Sequence, residues 1–145
     1  MKLVLQRVSS ASVTIDGEVI GEIGDGLLIL LGIEEGDSEE NLQWAAKKTA
    51  ELRIFQDDQN KMNLSLSETG GSALVVSQFT LCADIRKGRR PSFVAAAAPE
   101  VAEPMCERFV SLLRDEGIHT ETGRFGGKMT VSLVNEGPVT ILIQR

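Results

Sequence analysis

The sequence has no tyrosine, one tryptophan (Trp44), one histidine (His119) and two cysteines (Cys82 and Cys106) in 145 residues. Each scarcity excludes a chemistry. One histidine cannot build a His-rich metal centre, and a Ser-His-Asp relay would depend on that single position. Two cysteines far apart in sequence make neither a Cys-x-x-Cys pair nor a disulfide framework, the usage of a reducing compartment. Long hydrophobic runs are missing too. The longest stretch of large aliphatic side chains, Leu27–Leu31, is far short of the roughly 20 residues a spanning helix needs. Met1 to Arg7 lack the apolar core of a signal peptide. Cations are outnumbered, with 15 Lys and Arg against 21 Asp and Glu, so the net charge is −6. A basic, nucleic-acid-coating surface is excluded, and any such contact must come from a local patch. The expectation is a soluble cytoplasmic protein that does not enter a membrane.

What is present reads as one globular domain spanning 1–145, with 42% hydrophobic and 25% charged residues. Leu3/Leu5 and Val13/Ile15 alternate, and Asp16-Gly17 signals a tight hairpin. Leu27–Leu31, flanked by glycine, suits a strand buried on both faces. Asp37 or Ser38 can cap a helix whose apolar face is Leu42, Ala45, Ala46 and Thr49. Leu52–Phe55 and Ala73–Leu81 read as strands, and Ala83–Phe93 as a polar, basic loop. Pro99 opens a second helix with Ala102, Met105, Cys106, Phe109, Leu112 and Leu113 on one face, and Gly117 stops it. The chain then alternates again at Ile118–Thr122, Met129–Leu133 and Val139–Ile143. Two long helices, about 38–51 and 99–116, among many strands predict an α+β fold with a mainly antiparallel, barrel-like sheet.

Three segments can carry chemistry. Ser77-Gln78-Phe79-Thr80-Leu81 ends an apolar strand with three hydrogen-bonding side chains, which either face water or line a cleft. Thr80 as a nucleophile needs a base, and no histidine or lysine is near it in sequence; backbone N–H groups at such a strand end can instead stabilise an oxyanion. Asn135-Glu136-Gly137-Pro138-Val139-Thr140 places Gly-Pro between two strand patterns. The plain reading is a turn with a trans bond, the alternative a cis bond presenting rigid backbone carbonyls. Arg86, Lys87, Arg89 and Arg90, followed by Phe93, make either a solvated loop or a phosphate-contacting and base-stacking patch. Cys82 is either a buried small hydrophobe or, beside these cations, a reactive thiol. His119 is expected at the surface or near a helix carbonyl. Neither Gly123–Gly127 nor Gly32-x-x-x-Gly36 has the spacing of a dinucleotide or phosphate loop, so no nucleotide cofactor is expected, and with a single histidine no metal is expected either.

Taken together, Ser77-Gln78-Phe79-Thr80-Leu81, Lys87-Gly88-x-Arg90-Pro91-Ser92-Phe93, Gly123-x-Phe125-Gly126 and Asn135-x-Gly137-Pro138-Val139-Thr140 closely resemble the D-aminoacyl-tRNA deacylases, first known as D-tyrosyl-tRNA deacylases. The resemblance runs from Leu5-Gln6-Arg7-Val8 to the end of the chain. It departs from the usual pattern at Cys82, where an aromatic residue is common, and at Gly127-Lys128, where Ala-Asp is typical.

The resemblance implies a homodimer whose active sites are completed across the interface. A cis Gly137-Pro138 pair from one subunit would enter the other's site, facing Ser77, Gln78, Phe79 and Thr80. Arg7 would help hold that loop and Met129 would lie close to the pocket. The substrate would be the ester between a D-amino acid and the terminal ribose of tRNA, with Arg86, Lys87, Arg89, Arg90 and Phe93 on the RNA. The scarcity of general bases points to help from the substrate's own 2′-OH, with backbone donors around Gln78 and Phe79. Carbonyls of Gly137 and Pro138 would exclude an L side chain, while glycine, lacking Cβ, would pass, as on glycyl-tRNA mischarged on tRNA-Ala. The rival readings are Thr80 or Cys82 as covalent nucleophile, and a non-catalytic RNA-binding module.

Overall fold

The first strand, β1 (Lys2–Ile15), alternates inward and outward residues and organises the whole sheet. In the computed structural model, which describes Met1–Arg145, β8 (Thr130–Gln144) runs antiparallel along one edge of β1. The other edge is shared: β3 (Gly26–Gly32) pairs with its first half and β2 (Glu18–Ile23) with its second. Where the partner changes, β1 also changes core. Leu3 and Leu5 are buried in a cluster beneath the helices, whereas Val8, Ala11 and Val13 belong to a smaller one with Leu28, Leu74 and Val76. Asp16 and Gly17 both take positive φ, 51° and 85°, as a two-residue hairpin between β1 and β2 demands.

β3 is buried on both faces: Leu27, Ile29 and Leu31 point into the larger core and Leu28 into the smaller. It pairs in parallel with β6 (Ser72–Ser77), which pairs in parallel with β7 (Thr120–Thr122). The crossovers carry the two long helices, α1 (Glu39–Glu51) and α3 (Pro99–Asp115), which pack on each other over one face of the sheet. The fold is therefore α+β as expected, but its sheet is mixed. β2 comes close to β7 at Gly21, where a Cβ would meet the Thr122 carbonyl oxygen at 2.7 Å, so the sheet nearly closes.

Ser38 caps α1 by accepting from the Asn41 N–H at 3.3 Å, and Gly117 (φ 81°) follows α3. Three expectations need correction. The strand expected over Ala73–Leu81 stops at Ser77, because Phe79–Cys82 winds into a 3₁₀ turn. The strand expected at Leu52–Phe55 is only β4 (Phe55–Gln56), paired with β5 (Met62–Leu64). The turn expected at Asn135–Thr140 does not divide two strands: β8 passes straight through it as one element. Sequence reading also missed α2 (Leu66–Thr69), although the Ser65-x-x-Glu68 capping box that starts it was visible.

Candidate active site

β6 delivers Ser77 to the rim of an apolar cavity and the chain then bends sharply. Gln78 donates its backbone N–H to the Leu31 carbonyl at 2.7 Å, and the Phe79–Cys82 turn closes through Leu81 N–H to Gln78 O at 3.2 Å. Gly32 makes room: a Cβ there would meet Gln78 O at 3.0 Å and Cys82 Sγ at 3.2 Å. The leading N–H groups of the turn, on Phe79 and Thr80, have no acceptor in the chain, as the start of a helical turn dictates. The free donors are thus Phe79 and Thr80; that of Gln78, expected among them, is committed to Leu31.

The cavity, about 710 Å³, lies between the end of β6, the start of α3 and the segment before β8. It contains Ser77, Gln78, Phe79, Phe93 and Met129, all singled out from the sequence, together with Phe125, Gly126 and Gly127. Phe79 and Phe93 meet edge to face at 5.0 Å between ring centres. Ala96, Ala97 and Ala98 form a further wall that sequence reading missed, although the run Ala95–Ala98 before Pro99 was its signal. This loop is strapped to the exit of β3 by Ala97 N–H to Ile33 O at 3.0 Å and Glu35 N–H to Ala95 O at 3.0 Å. Gly123 lets Met129 approach: a Cβ at that position would run into Met129 Sδ.

The lining contains a single ionisable side chain, Cys106, and burial, reinforced by Glu103 and Glu107, pushes its thiol up to about 12. Cys82 is buried, donates to Ile33 O at 3.5 Å and is likewise pushed up by burial and then by Glu34. The cations nearby in sequence do not activate it, which removes the physical basis for Cys82 as nucleophile. Thr80 lies outside the lining, and its Oγ1 accepts from Gln78 Nε2 rather than donating to a base. His119 is at the surface, 3.2 Å from Glu121 Oε1.

Arg7, Gly137 and Pro138 form a separate assembly that does not line this chain's cavity. Between Gln6↔Thr140 and Val8↔Asn135 the pairing of β8 with β1 slips, so Glu136–Val139 bulge from the sheet. Glu136, Gly137 and Pro138 are exposed, Val139 is buried as the anchor, and the Gly137–Pro138 peptide bond is cis. Arg7 is only 3% exposed; its Nε donates to Glu136 O at 3.1 Å and its guanidinium to Ile54 O at 2.5 Å. The basic loop is a hairpin closed by Asp84 and Ser92, whose backbones bond at 2.8 and 2.9 Å. Arg86 is held bidentately by Asp84 at 2.9 and 2.7 Å, leaving Lys87, Arg89 and Arg90 exposed without an acidic partner. The Arg86 guanidinium holds the Asp84 carboxyl well below the usual carboxylate range. A second hollow of about 700 Å³, lined by Glu34, Asp37, Asp84 and Arg145 among others, contains none of the expected residues.

The family model described as D-Tyr-tRNA(Tyr) deacylase matches residues 4–144. D-aminoacyl-tRNA deacylase of Thermomicrobium roseum is 57% identical over 97% of this chain and 92% of that protein. The same enzyme of Pelobacter propionicus is 56% identical over all of both chains. Among solved structures, the c-Myc DNA Unwinding Element Binding Protein superposes with a TM-score of 0.94 at 39% identity, covering 100% of this chain and 99% of its own. The structure of a probable eukaryotic D-amino acid tRNA deacylase shares the fold at a TM-score of 0.83 and 18% identity, over 98% of this chain and 97% of its own.

Proposed function

The chain belongs to the D-aminoacyl-tRNA deacylase family, and from that premise we propose that it hydrolyses the ester of D-aminoacyl-tRNA with chemistry supplied largely by the substrate. Water adds to the carbonyl carbon, the bond to the ribose oxygen breaks, and that oxygen takes up the proton the water loses. The observation carrying this reading is the cavity wall, whose one ionisable group is a thiol held protonated. With no carboxylate, imidazole or amine on that wall, and the one carboxylate of the bulge, Glu136, paired with Arg7 at 3.2 Å, the ribose 2′-OH beside the ester is the group that moves the proton. The chain supplies placement and, for the developing oxyanion, the unpaired N–H groups of Phe79 on the wall and of Thr80 next to it in the turn.

Chiral selection follows from the bulge. Carbonyls of Gly137 and Pro138, entering from a second copy, grip the amino group and crowd the place of an L side chain; a D side chain points away, and glycine on tRNA-Ala passes. A homodimer is supported by β8, which pairs only with β1, leaves its outer edge open and exposes Leu133, Val134 and Leu142. An open apolar edge on a strand this long calls for a cover, and a two-fold contact would carry each bulge to the other copy. Phe93 joins the exposed cations Lys87, Arg89 and Arg90 to the cavity rim, where the RNA end would lie. The work is done in the cytoplasm, where tRNA is charged; no helix is long and apolar enough to cross a membrane.

The test is deacylation of D-tyrosyl-tRNA with a 2′-OH or a 2′-H on the terminal ribose, by wild type and by Thr80→Val. Loss of the 2′-OH should slow the reaction by about 10²–10⁴, the span of general acid–base help, and Thr80→Val should stay within about tenfold of wild type. The opposite pattern would make Thr80 the nucleophile. Equal rates on L- and D-tyrosyl-tRNA would remove the steric account of selection, and tRNA binding without release of amino acid would leave only an RNA-binding module.

A further inference from the structure

Gln6 and Arg7 are neighbours on β1, so their side chains leave opposite faces of the strand, and both reach the Glu136–Val139 bulge. Arg7 reaches it from the buried side, through Glu136 O. Gln6 reaches it from the other side and touches both of its ends: its Oε1 accepts from Thr140 Oγ1 at 2.8 Å, and its Nε2 donates to Asn135 Oδ1. The third member packs on the apex, since a Cβ on Gly137 would meet Asn135 Nδ2 at 2.5 Å. We propose that Gln6 is a positioning residue: its carboxamide ties Asn135 to Thr140 across the base of the bulge and fixes where the Gly137 and Pro138 carbonyls stand.

The slip in the ladder makes such a device necessary. Between Asn135 and Thr140 the backbone bonds that hold β8 to β1 are interrupted, so side chains must set the width of the opening. A three-member chain of neutral hydrogen bonds does this without adding a charge beside an ester that must be bound by shape. The bonds are solvent-accessible in the single chain and gain strength where a second copy covers them. The inference rests on the reading that this bulge selects against L substrates.

The experiment measures kcat/KM on D- and L-tyrosyl-tRNA for Gln6→Met, which keeps length and loses both bonds, for Thr140→Val, which keeps shape and loses the hydroxyl, and for the double variant. The D-over-L preference should fall by about five- to tenfold in each single variant, roughly one hydrogen bond. The double variant should fall no further than either, because both remove one chain of contacts. Melting temperatures should stay within about 2 °C of wild type. Pro138→Ala is the control. If it shifts the preference and Gln6→Met and Thr140→Val do not, the positioning role fails; if Pro138→Ala leaves the preference untouched, the reading of the bulge fails instead. Parallel loss on both substrates at constant preference would make Gln6 merely structural and overturn the proposal, and Thr140→Val decides the same question should Gln6→Met not fold.

Discussion

Two regions proposed to meet over one substrate are built from opposite materials. The cavity at Ser77–Phe79 is concave and apolar, shaped by glycines at 32, 123 and 126–127 and by a run of alanines, and its one ionisable group is kept neutral. The bulge at Glu136–Val139 is convex and exposed, and it is held by polar side chains, Arg7 on one face and Gln6 on the other. If the cup leaves proton transfer to its substrate, as proposed, it needs only shape and a pair of N–H donors. A probe that must reach outward cannot be supported by packing on both sides, so hydrogen bonds hold it. Damage to the probe should therefore register in selection, and on its buried side, at Arg7, in stability as well, and damage to the cup in rate.

The largest effect should come from Arg7→Met. It leaves the Ile54 carbonyl without its donor and releases Glu136 from its buried side. An unsatisfied buried acceptor costs about 1–3 kcal/mol, and the lost contact to Glu136 brings the expected total to about 3 kcal/mol. For a chain of this length that lowers Tm by roughly 6–12 °C, and thermal unfolding measures it. The same variant should lose D-over-L preference more than absolute rate on D-tyrosyl-tRNA. An unchanged Tm would show that Arg7 does not anchor the bulge.

Gly123→Val breaks the cup instead. The new side chain meets Met129 Sδ, which can swing away, so the fold survives while the cavity wall moves. We expect kcat/KM on the D substrate to fall by about tenfold, a modest misplacement on the scale of what positioning contributes, with a smaller Tm change than in Arg7→Met. If preference fell and rate did not, the division of labour between the two regions would be wrong.

Sequence alone made the cup's parts legible more easily than their arrangement. Ser77, Gln78 and Phe93 stand out as side chains and Met129 through the family resemblance, and the structure brings them to one wall. The parallel partners β3, β6 and β7 were not legible, because alternation reports which face is buried but not the direction of a neighbouring strand. Gly137-Pro138 misled in the opposite way. Proline cannot donate to a ladder, so the segment reads as a turn; on an open edge strand the missing donor costs nothing and the strand continues as a bulge. Gln6 lies in the Leu5-Gln6-Arg7-Val8 stretch that opens the resemblance, but nothing in the sequence pointed to the positioning role proposed for it, because its two partners are 129 and 134 positions away.

The basic loop offers a finer contrast between cations that are free and one that is not. Replacing Lys87, Arg89 or Arg90 by alanine should each reduce the salt dependence of tRNA binding by about 0.7 in log–log slope if each touches a phosphate. Arg86→Ala should change it less, because Asp84 already holds that guanidinium and is released when it goes. Equal slopes for all four would mean that the Asp84 pair opens on RNA.

The smallest effect concerns Cys106, in the wall of the cup. Its thiol is pushed up to about 12 in the folded chain from an ordinary value of 9.0, mainly by burial. Below pH 9 the thiol is protonated in both the folded and the unfolded chain, and its stabilising contribution is complete. Above that the unfolded chain gives up the proton and the folded chain does not, so this contribution is lost as pH rises towards 12. Cys106→Ala removes the titration, and its Tm should decline less steeply than that of wild type between pH 9 and 12 while the two curves run parallel below. The same protonation requires that no thiol inflection appear in log kcat below pH 9. A thiol-dependent rise there would place an ionised nucleophile in the cup and would undo its contrast with the bulge.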